Sequence, residues 1–396
     1  MTQAGVNKAT VRAEDVLPRH DWILLPLISI LTISILIGST EFLARRIFPE
    51  PPVTAEDCME FHDPITGIRG KPNAVCIESF PESELTEYRF NNCGHRAGME
   101  CGTKPPGTYR IVLIGTSIAM GMRLPREKSF AALLPPVLSQ RTGHPIEIYN
   151  EAMPYRTPDI IASHFDDVLR GQPDMILWVL SSGDMIVKDN LNLAFVNNRK
   201  LSLWVRAWRR FKEVVGSGSM VSLMKLPFAH SRITLLLSHY LNSSPFFFVR
   251  ASLNLEPYQH EPSAERKKRL AEFDENADRV IEEARQAGIP LVAVLLPDHA
   301  QTGMMLLPDM PTNVDPYWQN QSFREIFTRD GATYLDVFPD VRTHPALVSG
   351  YFPSDGHPNA SGNAIFAEIL AQHLENGPLS MLKENPSGYP KLERNR

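Results

Sequence analysis

Five short apolar segments limit how this chain of 396 residues can fold more than any other feature of its sequence. They are "IVLIG" (111–115), "IEIYN" (146–150), "DMILWVL" (174–180), "PLVAVLLP" (290–297) and "TYLDVF" (333–338). Helical patterns lie between and after them, at residues 126–141, 158–171, 262–288, 323–331 and 359–374. Strands that are apolar on both faces and alternate with helices are typical of a parallel sheet covered on both sides. The sequence therefore predicts a three-layer α/β fold, with the helix at 126–141 interrupted by its prolines.

Residues 185–261 break this alternation. Two segments within them mix aromatic and basic residues, "LWVRAWRRFKEVV" (203–215) and "SSPFFFVRAS" (243–252). One interpretation is a helical insertion whose aromatic side chains pack on the sheet. The alternative is a surface that rests on lipid headgroups, because basic residues mixed with Trp and Phe suit that interface. Both interpretations stay open at this point.

An uncharged run of nineteen residues, "WILLPLISILTISILIGST" (22–40), lies near the N-terminus. At about 1.5 Å per residue, a helix of this length just spans a hydrocarbon core of about 30 Å. We expect an uncleaved transmembrane anchor. A cleaved signal peptide and a buried core helix are the alternatives, although the first usually has a shorter apolar run and the second a polar face. Basic residues flank the run on both sides and favour a cytoplasmic N-terminus only slightly.

All four cysteines of the chain, Cys58, Cys76, Cys93 and Cys101, fall between this run and the first predicted strand. An even number of cysteines in one segment indicates two disulfides, which form in an oxidising compartment. A zinc site is the alternative, although the spacings of 18, 17 and 8 contain no Cys-x-x-Cys pair. We therefore expect residues 41–108 to be an irregular, disulfide-pinned neck and the main domain to be periplasmic or extracellular.

The composition gives no indication of a nucleic-acid partner, since the formal net charge is −5. It also gives no indication of a cofactor or metal. "GTSIAMG" (115–121) lacks the lysine of a phosphate-binding loop, and the histidines are scattered without the spacing of metal ligands.

Polar residues that could carry chemistry follow three of the predicted strands, where reactive groups gather in open parallel sheets. Ser117 lies two residues past the first strand, Asn150 and Ala152 lie at the end of the second, and "SSGD" (181–184) follows the third. Asp355 and His357 stand two residues apart just before the last helix. A serine hydroxyl becomes a nucleophile when an imidazole accepts its proton, and the imidazole needs a carboxylate partner. Ser117 is thus a candidate nucleophile, with a helix cap as the alternative role.

In order and spacing, these blocks resemble those of the SGNH, or GDSL-like, hydrolases over roughly residues 105–376. The family's Gly-Asp-Ser block is similar to "GTS" (115–117), its Asn-x-Gly block to "NEA" (150–152), its Gly-x-Asn-Asp block to "SSGD" (181–184), and its final Asp and His to "DGHPNASGN" (355–363). The resemblance implies a flavodoxin-like fold and ester hydrolysis or acyl transfer. It also implies that Ser117 is the nucleophile, His357 the base and Asp355 the residue that orients it. The implied oxyanion-hole positions are Ser117, Asn150, Ala152 and Gly183.

The chain departs from the family pattern in each block. Thr116 stands in place of the Asp, Ala152 in place of the Gly, and Gly183 in place of the Asn. The last block is one residue shorter than the usual Asp-x-x-His, so Asp336 is a second candidate for orienting the histidine. Losing one oxyanion donor costs on the order of 10²–10³ in turnover.

The sequence thus predicts a cytoplasmic tail (1–21), an anchor (22–40), a neck (41–108), a hydrolase-like domain (109–378) with an insertion (185–261), and a C-terminal tail (379–396). The expected function is a serine esterase that acts on ester-linked acyl groups, for which an envelope or exported polysaccharide is the expected carrier. The alternatives are an O-acyltransferase and a catalytically degenerate scaffold protein of the envelope. The expected partners are an acylated carbohydrate and the lipid bilayer, the latter through the N-terminal helix and residues 203–215.

Overall fold

The computed structural model of the protein describes residues 20–47, 55–80, 82–185, 231–253 and 255–384. The strands in these ranges are β1 (Met59–Asp63), β2 (Gly67–Gly70), β3 (Val75–Glu78), β4 (Thr86–Arg89), β5 (Tyr109–Gly115), β6 (Ile146–Asn150), β7 (Met175–Leu180), β8 (Leu291–Leu295) and β9 (Thr333–Leu335). The α-helices are α1 (Asp21–Ile47), α2 (Ser117–Met120), α3 (Phe130–Thr142), α4 (Pro158–Ser163), α5 (Phe165–Arg170), α6 (Arg232–Asn242), α7 (Pro245–Ser252), α8 (Ala264–Gln286), α9 (His299–Met305), α10 (Trp318–Arg329), α11 (Phe338–Val341), α12 (Ala360–Asn376) and α13 (Ser380–Glu384).

Strands β5 to β9 form one parallel sheet in the spatial order β6-β5-β7-β8-β9. Numbered along the main domain, this is the order 2-1-3-4-5 of flavodoxin-like folds. Two groups of helices cover the sheet. α3 packs against α12 and β6, and α8 packs against α4, α10 and β8. The predicted three-layer α/β fold is confirmed, and so is the flavodoxin-like strand order.

The core lies on both faces of the two central strands. Every residue of β5 and β7 is buried, as expected for strands with helices on either side. Trp178 of β7 packs edge-on against Phe327 of α10, with 5.3 Å between the ring centroids, and also contacts Phe273 of α8. This packing holds the carboxyl ends of the strands, where the candidate residues follow, in fixed relative positions.

Several predicted element boundaries are wrong. The helix expected at 158–171 is two short helices that meet at His164, whose φ of −130° and ψ of 34° lie outside the helical region. α3 runs without interruption through Pro135 and Pro136. Its packing against α12 and β6 compensates for the hydrogen bonds that the two prolines remove. β9 ends at Leu335, earlier than predicted, and α11 follows.

The neck is more regular than predicted. It contains two antiparallel hairpins, β1–β2 and β3–β4. Each strand of the second hairpin alternates buried and exposed residues over only four positions, which is too short a run to stand out among prolines and glycines. The cysteines form two disulfides, Cys58–Cys76 and Cys93–Cys101, so the zinc alternative is wrong. We call residues 55–101 the neck segment below.

α1 extends past the predicted anchor, to Ile47. Among the described residues it is the one helix long and apolar enough to cross a membrane, by length and composition, with a mean hydropathy of 2.2 in its most apolar window. None of that window is buried against the rest of the protein, so the buried core helix is the wrong alternative. Residues 1–19 of the predicted tail lie outside the described residues.

The described part of the insertion consists mainly of α6 and α7. Phe246 and Phe247 are exposed, so these two aromatic residues of the described part do not pack on the sheet, contrary to the first interpretation. Phe248 instead stacks on His299, with 3.9 Å between the ring centroids. Residues 203–215 lie outside the described residues. Of the predicted C-terminal tail, Leu379 and Leu382 are buried, and α13 packs on α3.

Candidate active site

Ser117 lies directly beyond the carboxyl end of β5, the strand between β6 and β7 in the sheet. The last residue of that strand, Gly115, has a φ of 144°, and a Cβ at this position would come within 2.2 Å of the Val179 carbonyl of β7. Only glycine allows the two strands to pass so closely as the chain turns off the sheet. Ser117 then opens the short helix α2.

His357 lies against this serine, although 240 positions separate them in the sequence. Its Nε2 is 2.7 Å from the Ser117 Oγ, and its Nδ1 is hydrogen-bonded to an Asp355 carboxylate oxygen. The structure thus brings Ser117, His357 and Asp355 into one connected chain of hydrogen bonds.

The short spacing between Asp355 and His357 is compatible with their contact because Gly356 stands between them. Its φ of 82° lies in the left-handed region, which turns the backbone so that both side chains face the same way. No atom lies within 4 Å of a Cβ built at this glycine. Glycine is therefore required here for its backbone conformation, and not because a side chain would clash with a neighbour.

An arginine supports the other side of the Asp355 carboxylate. The Arg123 Nε donates to Asp355 Oδ1 at 3.2 Å, and the Asp355 side chain is only 10% exposed. Burial on its own would raise the pKa of Asp355. The hydrogen bond and charge of His357, and then those of Arg123, oppose this and lower the pKa to about 2. Asp355 is therefore a stable anion.

Arg123 is itself held by the neck segment. Its Nη1 is paired with the Glu78 carboxylate, and its backbone N–H donates to the Tyr88 hydroxyl at 2.8 Å. Tyr88 in turn donates to Glu78 at 2.7 Å. The buried Arg96 guanidinium donates to the Gly121 carbonyl at 2.7 Å and so fixes the loop that carries Arg123.

Glu82, also in the neck segment, holds the loop that carries Asp355. Its carboxylate accepts the Ser354 N–H at 2.9 Å and the Asp355 N–H at 3.2 Å. It also bonds His239 of α6, with 2.6 Å between the Nδ1 and the Oε1. Sequence reasoning missed Arg123, Glu78 and Glu82, because none belongs to a recognisable block and their partners are remote in the sequence.

The remaining predicted site residues divide into two groups. Gly183, in the 3-10 turn Ser182–Met185, lines the same cleft as Ser117 and His357. Asn150 and Ala152 are buried, and the Ala152 N–H donates to the Asn150 side chain at 3.0 Å. The Asn150 amide also donates to the Ala119 carbonyl at 2.9 Å. These two residues thus tie the loop after β6 to α2.

Thr116 and the turn after β7 form a further polar connection. The Thr116 hydroxyl lies 3.3 Å from that of Ser181, which donates to the buried Asp184 at 2.7 Å. Burial raises the pKa of Asp184 to about 6, against the opposing effect of hydrogen bonds from Ser181.

The cleft above the serine has a volume of about 330 Å³. Both apolar and polar side chains line it. The apolar lining includes Ile118, Phe248 and Leu255, and the polar lining includes Ser181, Tyr258 and Asp298. A small ester can therefore find both an apolar wall and hydrogen-bonding groups beside the Ser117 hydroxyl.

Two other acidic sites are separate from this chain of hydrogen bonds. Asp336 bonds Asn320 and Arg324 near α10, so it is not the partner of His357. His95, Glu151 and Asp167 place potential metal-binding atoms within 4.8 Å of one another. Arg156 lies against both carboxylates of that buried group and already supplies their positive charge.

No family model matches the chain, and no curated protein matches it significantly. Among solved structures, TesA matches 68% of this chain and 99% of its own, with 12% identity and a TM-score of 0.36. A catalytic mutant of Axe2, an acetylxylan esterase from Geobacillus stearothermophilus, matches 67% of this chain and 94% of its own, with 11% identity and a TM-score of 0.38. A two-domain esterase active on acetylated mannans matches 72% of this chain and 52% of its own, with 12% identity and a TM-score of 0.37. Because TM-scores this low do not establish relatedness, the conclusions below depend on the sheet order and the geometry of the site.

Proposed function

We propose that the protein is a membrane-anchored serine esterase that removes acyl groups from ester-linked substrates at the cell envelope. The observation that carries this proposal is the hydrogen-bonded chain from Ser117 through His357 to Asp355, with 2.7 Å between the serine oxygen and the imidazole. An imidazole in this position can accept the hydroxyl proton, and the carboxylate fixes its tautomer.

In the proposed reaction, the Ser117 Oγ attacks the ester carbonyl while His357 Nε2 takes the hydroxyl proton. The tetrahedral intermediate then collapses, and the alcohol leaves with the proton from His357, so that an acyl-serine remains. Water next gives a proton to His357 and attacks the acyl group, which releases the carboxylic acid and restores Ser117. Asp355, whose pKa is about 2, stays ionised throughout and stabilises the imidazolium.

The proposed oxyanion donors are the backbone N–H groups of Ser117 and Gly183. The first N–H groups of a helix have no acceptor within it, and Ser117 is the first residue of α2. Gly183 lies in the same cleft and brings no side chain that would block a carbonyl oxygen. Ala152 could contribute only by releasing Asn150, to which its N–H already donates.

The apolar N-terminal helix and the two disulfides indicate a secreted or envelope location. Within that range we propose a single-pass anchor in the cytoplasmic membrane with the main domain on its outer side, where the disulfides can form. A signal peptide is the alternative for α1. We propose an acylated envelope or exported polysaccharide as the substrate, on the basis of this location alone.

Hydrolysis is preferred over acyl transfer because the site is open to water. The His357 side chain, which must activate the second nucleophile, is 20% exposed. A scaffold protein would not need a serine, an imidazole and a carboxylate held in this order.

The test measures hydrolysis of p-nitrophenyl acetate by the full chain in detergent. We expect Ser117→Ala and His357→Ala each to lower kcat by on the order of 10³ or more. Ser163→Ala, which changes an exposed serine on α4, is the matched control and should keep the parent rate. Equal rates in all four proteins would leave only the scaffold interpretation. Acyl transfer to an added oligosaccharide, faster than hydrolysis, would favour the O-acyltransferase.

A further inference from the structure

Helices α6 and α7 present apolar side chains to solvent. Leu237, Tyr240 and Leu241 of α6 and Phe246 and Phe247 of α7 are between 51% and 76% exposed. We call these five residues the α6–α7 face. Single exposed apolar residues are common, but a set of five on two consecutive helices that pack together marks an interaction site.

α6 turns apolar side chains outward, whereas a helix on a water-facing surface turns them inward. Leu237 and Leu241 lie one turn apart on its outer side. His239 points the other way and bonds Glu82 of the neck segment. A surface helix of a soluble domain turns its apolar stripe inward. α6 therefore needs an apolar environment outside the protein.

The start of α6 is fastened to the end of the predicted anchor. Glu41, the first charged residue after the uncharged run 22–40, accepts hydrogen bonds from Ser231, Arg232 and Ile233. The shortest is 2.8 Å, from the Ser231 hydroxyl. If residues 22–40 cross the bilayer, α6 therefore begins at the level of the headgroups, where the hydrocarbon core ends.

We propose that the α6–α7 face lies in the surface of the lipid bilayer, beside the anchor. The inference depends on the proposed anchoring and adds a second membrane contact. Aromatic residues are enriched at the headgroup level, and exposed Arg250 on α7 adds a positive charge that suits anionic lipids. The attachment of α6 to Glu41 singles out lipid, rather than a second protein, as the neighbour.

This placement also brings the cleft next to the membrane. Phe248 and Ser252 of α7 line the cleft above Ser117, while Phe246 and Phe247 of the same helix belong to the α6–α7 face. Leu255 lines the cleft and is itself half-exposed. An ester carried by a lipid, or lying at the bilayer surface, could then enter the cleft along α7.

The test places a fluorescent probe at one site at a time in the full chain. Because all four native cysteines are disulfide-bonded, an introduced cysteine is the only free thiol. Phe247→Cys reports on the α6–α7 face, and Ile30→Cys reports on the anchor. Leu85→Cys is the matched control, an exposed apolar residue of the neck segment. Each protein is labelled with the NBD fluorophore and inserted into vesicles of phosphatidylcholine and phosphatidylglycerol that carry nitroxide lipids.

We expect headgroup nitroxides to quench the label at position 247 several-fold more than the label at position 85. Mid-chain nitroxides should quench the label at position 30. Quenching at 30 with equal, weak quenching at 247 and 85 would overturn this inference and leave the anchor intact. A label at 30 that is not quenched would instead refute the anchor in the proposed function, and this inference with it. A label at 247 that is shielded from aqueous iodide but not quenched by lipid would show a protein neighbour and overturn the proposal. Tyr240→Cys gives a second reading if the first variant folds poorly.

Discussion

At the scale of single residues, the environment of Asp355 decides how well His357 is oriented. Its carboxylate is shared between the imidazole and the guanidinium of Arg123. The same guanidinium is also paired with the Glu78 carboxylate. Since only a planar guanidinium can bond two carboxylates at once in this way, lysine is a poor replacement. In the proposed reaction, Arg123 would therefore act through Asp355, as a positioning residue.

We predict that Arg123→Gln lowers kcat by about 10- to 100-fold. This is the loss in rate expected when one or two hydrogen bonds to a charged group are removed. KM should change little. Without the positive charge, protonation of the Asp355–His357 pair becomes more favourable, so the acid limb of the kcat–pH profile should move to higher pH. Added guanidinium should restore part of the rate. Arg126→Gln, three residues further on, serves as the control, and an identical profile in both variants would argue against the positioning role.

Asp184 gives a prediction about pH and stability. Its pKa is raised to about 6 in the folded protein by burial, above its value near 3.8 in an unfolded chain. The folded state therefore binds a proton that the unfolded state has lost between about pH 4 and pH 6. As the pH rises through this window, the contribution of Asp184 to the free energy of unfolding should fall by about 3 kcal/mol. Above the window it should stay level.

Thermal unfolding of the full chain in detergent tests this between pH 4 and pH 7. Relative to the parent protein, Asp184→Asn should show a shallower decline of the melting temperature across that window, because the amide does not titrate. Parallel curves for the two proteins would contradict the conclusion that titration of Asp184 causes this decline. Ser163→Ala should reproduce the parent curve.

At the scale of elements, the loop before α12 depends on one backbone conformation. Gly356 and Gly331 have nearly the same φ, 82° and 83°, and neither has an atom within 4 Å of an added Cβ. An alanine at either position therefore costs about 1–2 kcal/mol for the left-handed backbone, without a steric clash. Only Gly356 lies between Asp355 and His357.

We predict that Gly356→Ala and Gly331→Ala lower the melting temperature to a similar degree. Only Gly356→Ala should also lower kcat, because relaxation of its backbone separates the carboxylate from the imidazole. Hydrolysis assays beside melting curves measure both effects. If kcat fell equally in the two variants, stability alone would account for the loss.

The elements also show how far a sequence can predict a structure of this kind. β7 and residues 111–115 of β5 were predictable because every position in them is apolar, whatever surrounds them. The hairpins of the neck segment were not, since their strands are only four or five residues long. The break at His164 was not either, because it is a change in the backbone dihedral angles of one residue, in a stretch (159–170) without a proline or glycine to indicate it.

At the site, the sequence indicated Ser117, Asp355 and His357 because each follows a strand or precedes a helix in a recognisable block. It could not indicate Arg123, Glu78 or Glu82. Their contacts join segments that are 232, 45 and 272 residues apart. Long-range side-chain pairing of this kind leaves no local pattern in a single sequence.

At the scale of the whole molecule, the neck segment and the α/β domain meet at the candidate active site. The disulfide Cys58–Cys76 spans 18 residues, and Cys76 lies on β3 two residues before Glu78. A crosslink of this span contributes about 3 kcal/mol in the chain-entropy description. The second disulfide spans only 8 residues, which is a weaker constraint.

We therefore predict that the double substitution of Cys58 and Cys76 by serine lowers kcat, with the helix and sheet content of the main domain retained. The same change at Cys93 and Cys101 should destabilise the neck segment less. Hydrolysis rates and far-ultraviolet circular dichroism measure the two effects. An undiminished kcat in the first variant would show that β3 holds Glu78 in place without the crosslink.

The contacts of Glu78, Glu82, Tyr88 and Arg96 set a limit on how this protein could be divided. A polypeptide trimmed to begin just before β5 would retain Ser117, His357 and Asp355. It would nonetheless lose every partner that these four side chains provide to the loops on either side of the serine and the histidine. Transfer of the α/β domain to another protein would therefore preserve the geometry of the site only if residues 55–108, which precede it, were included.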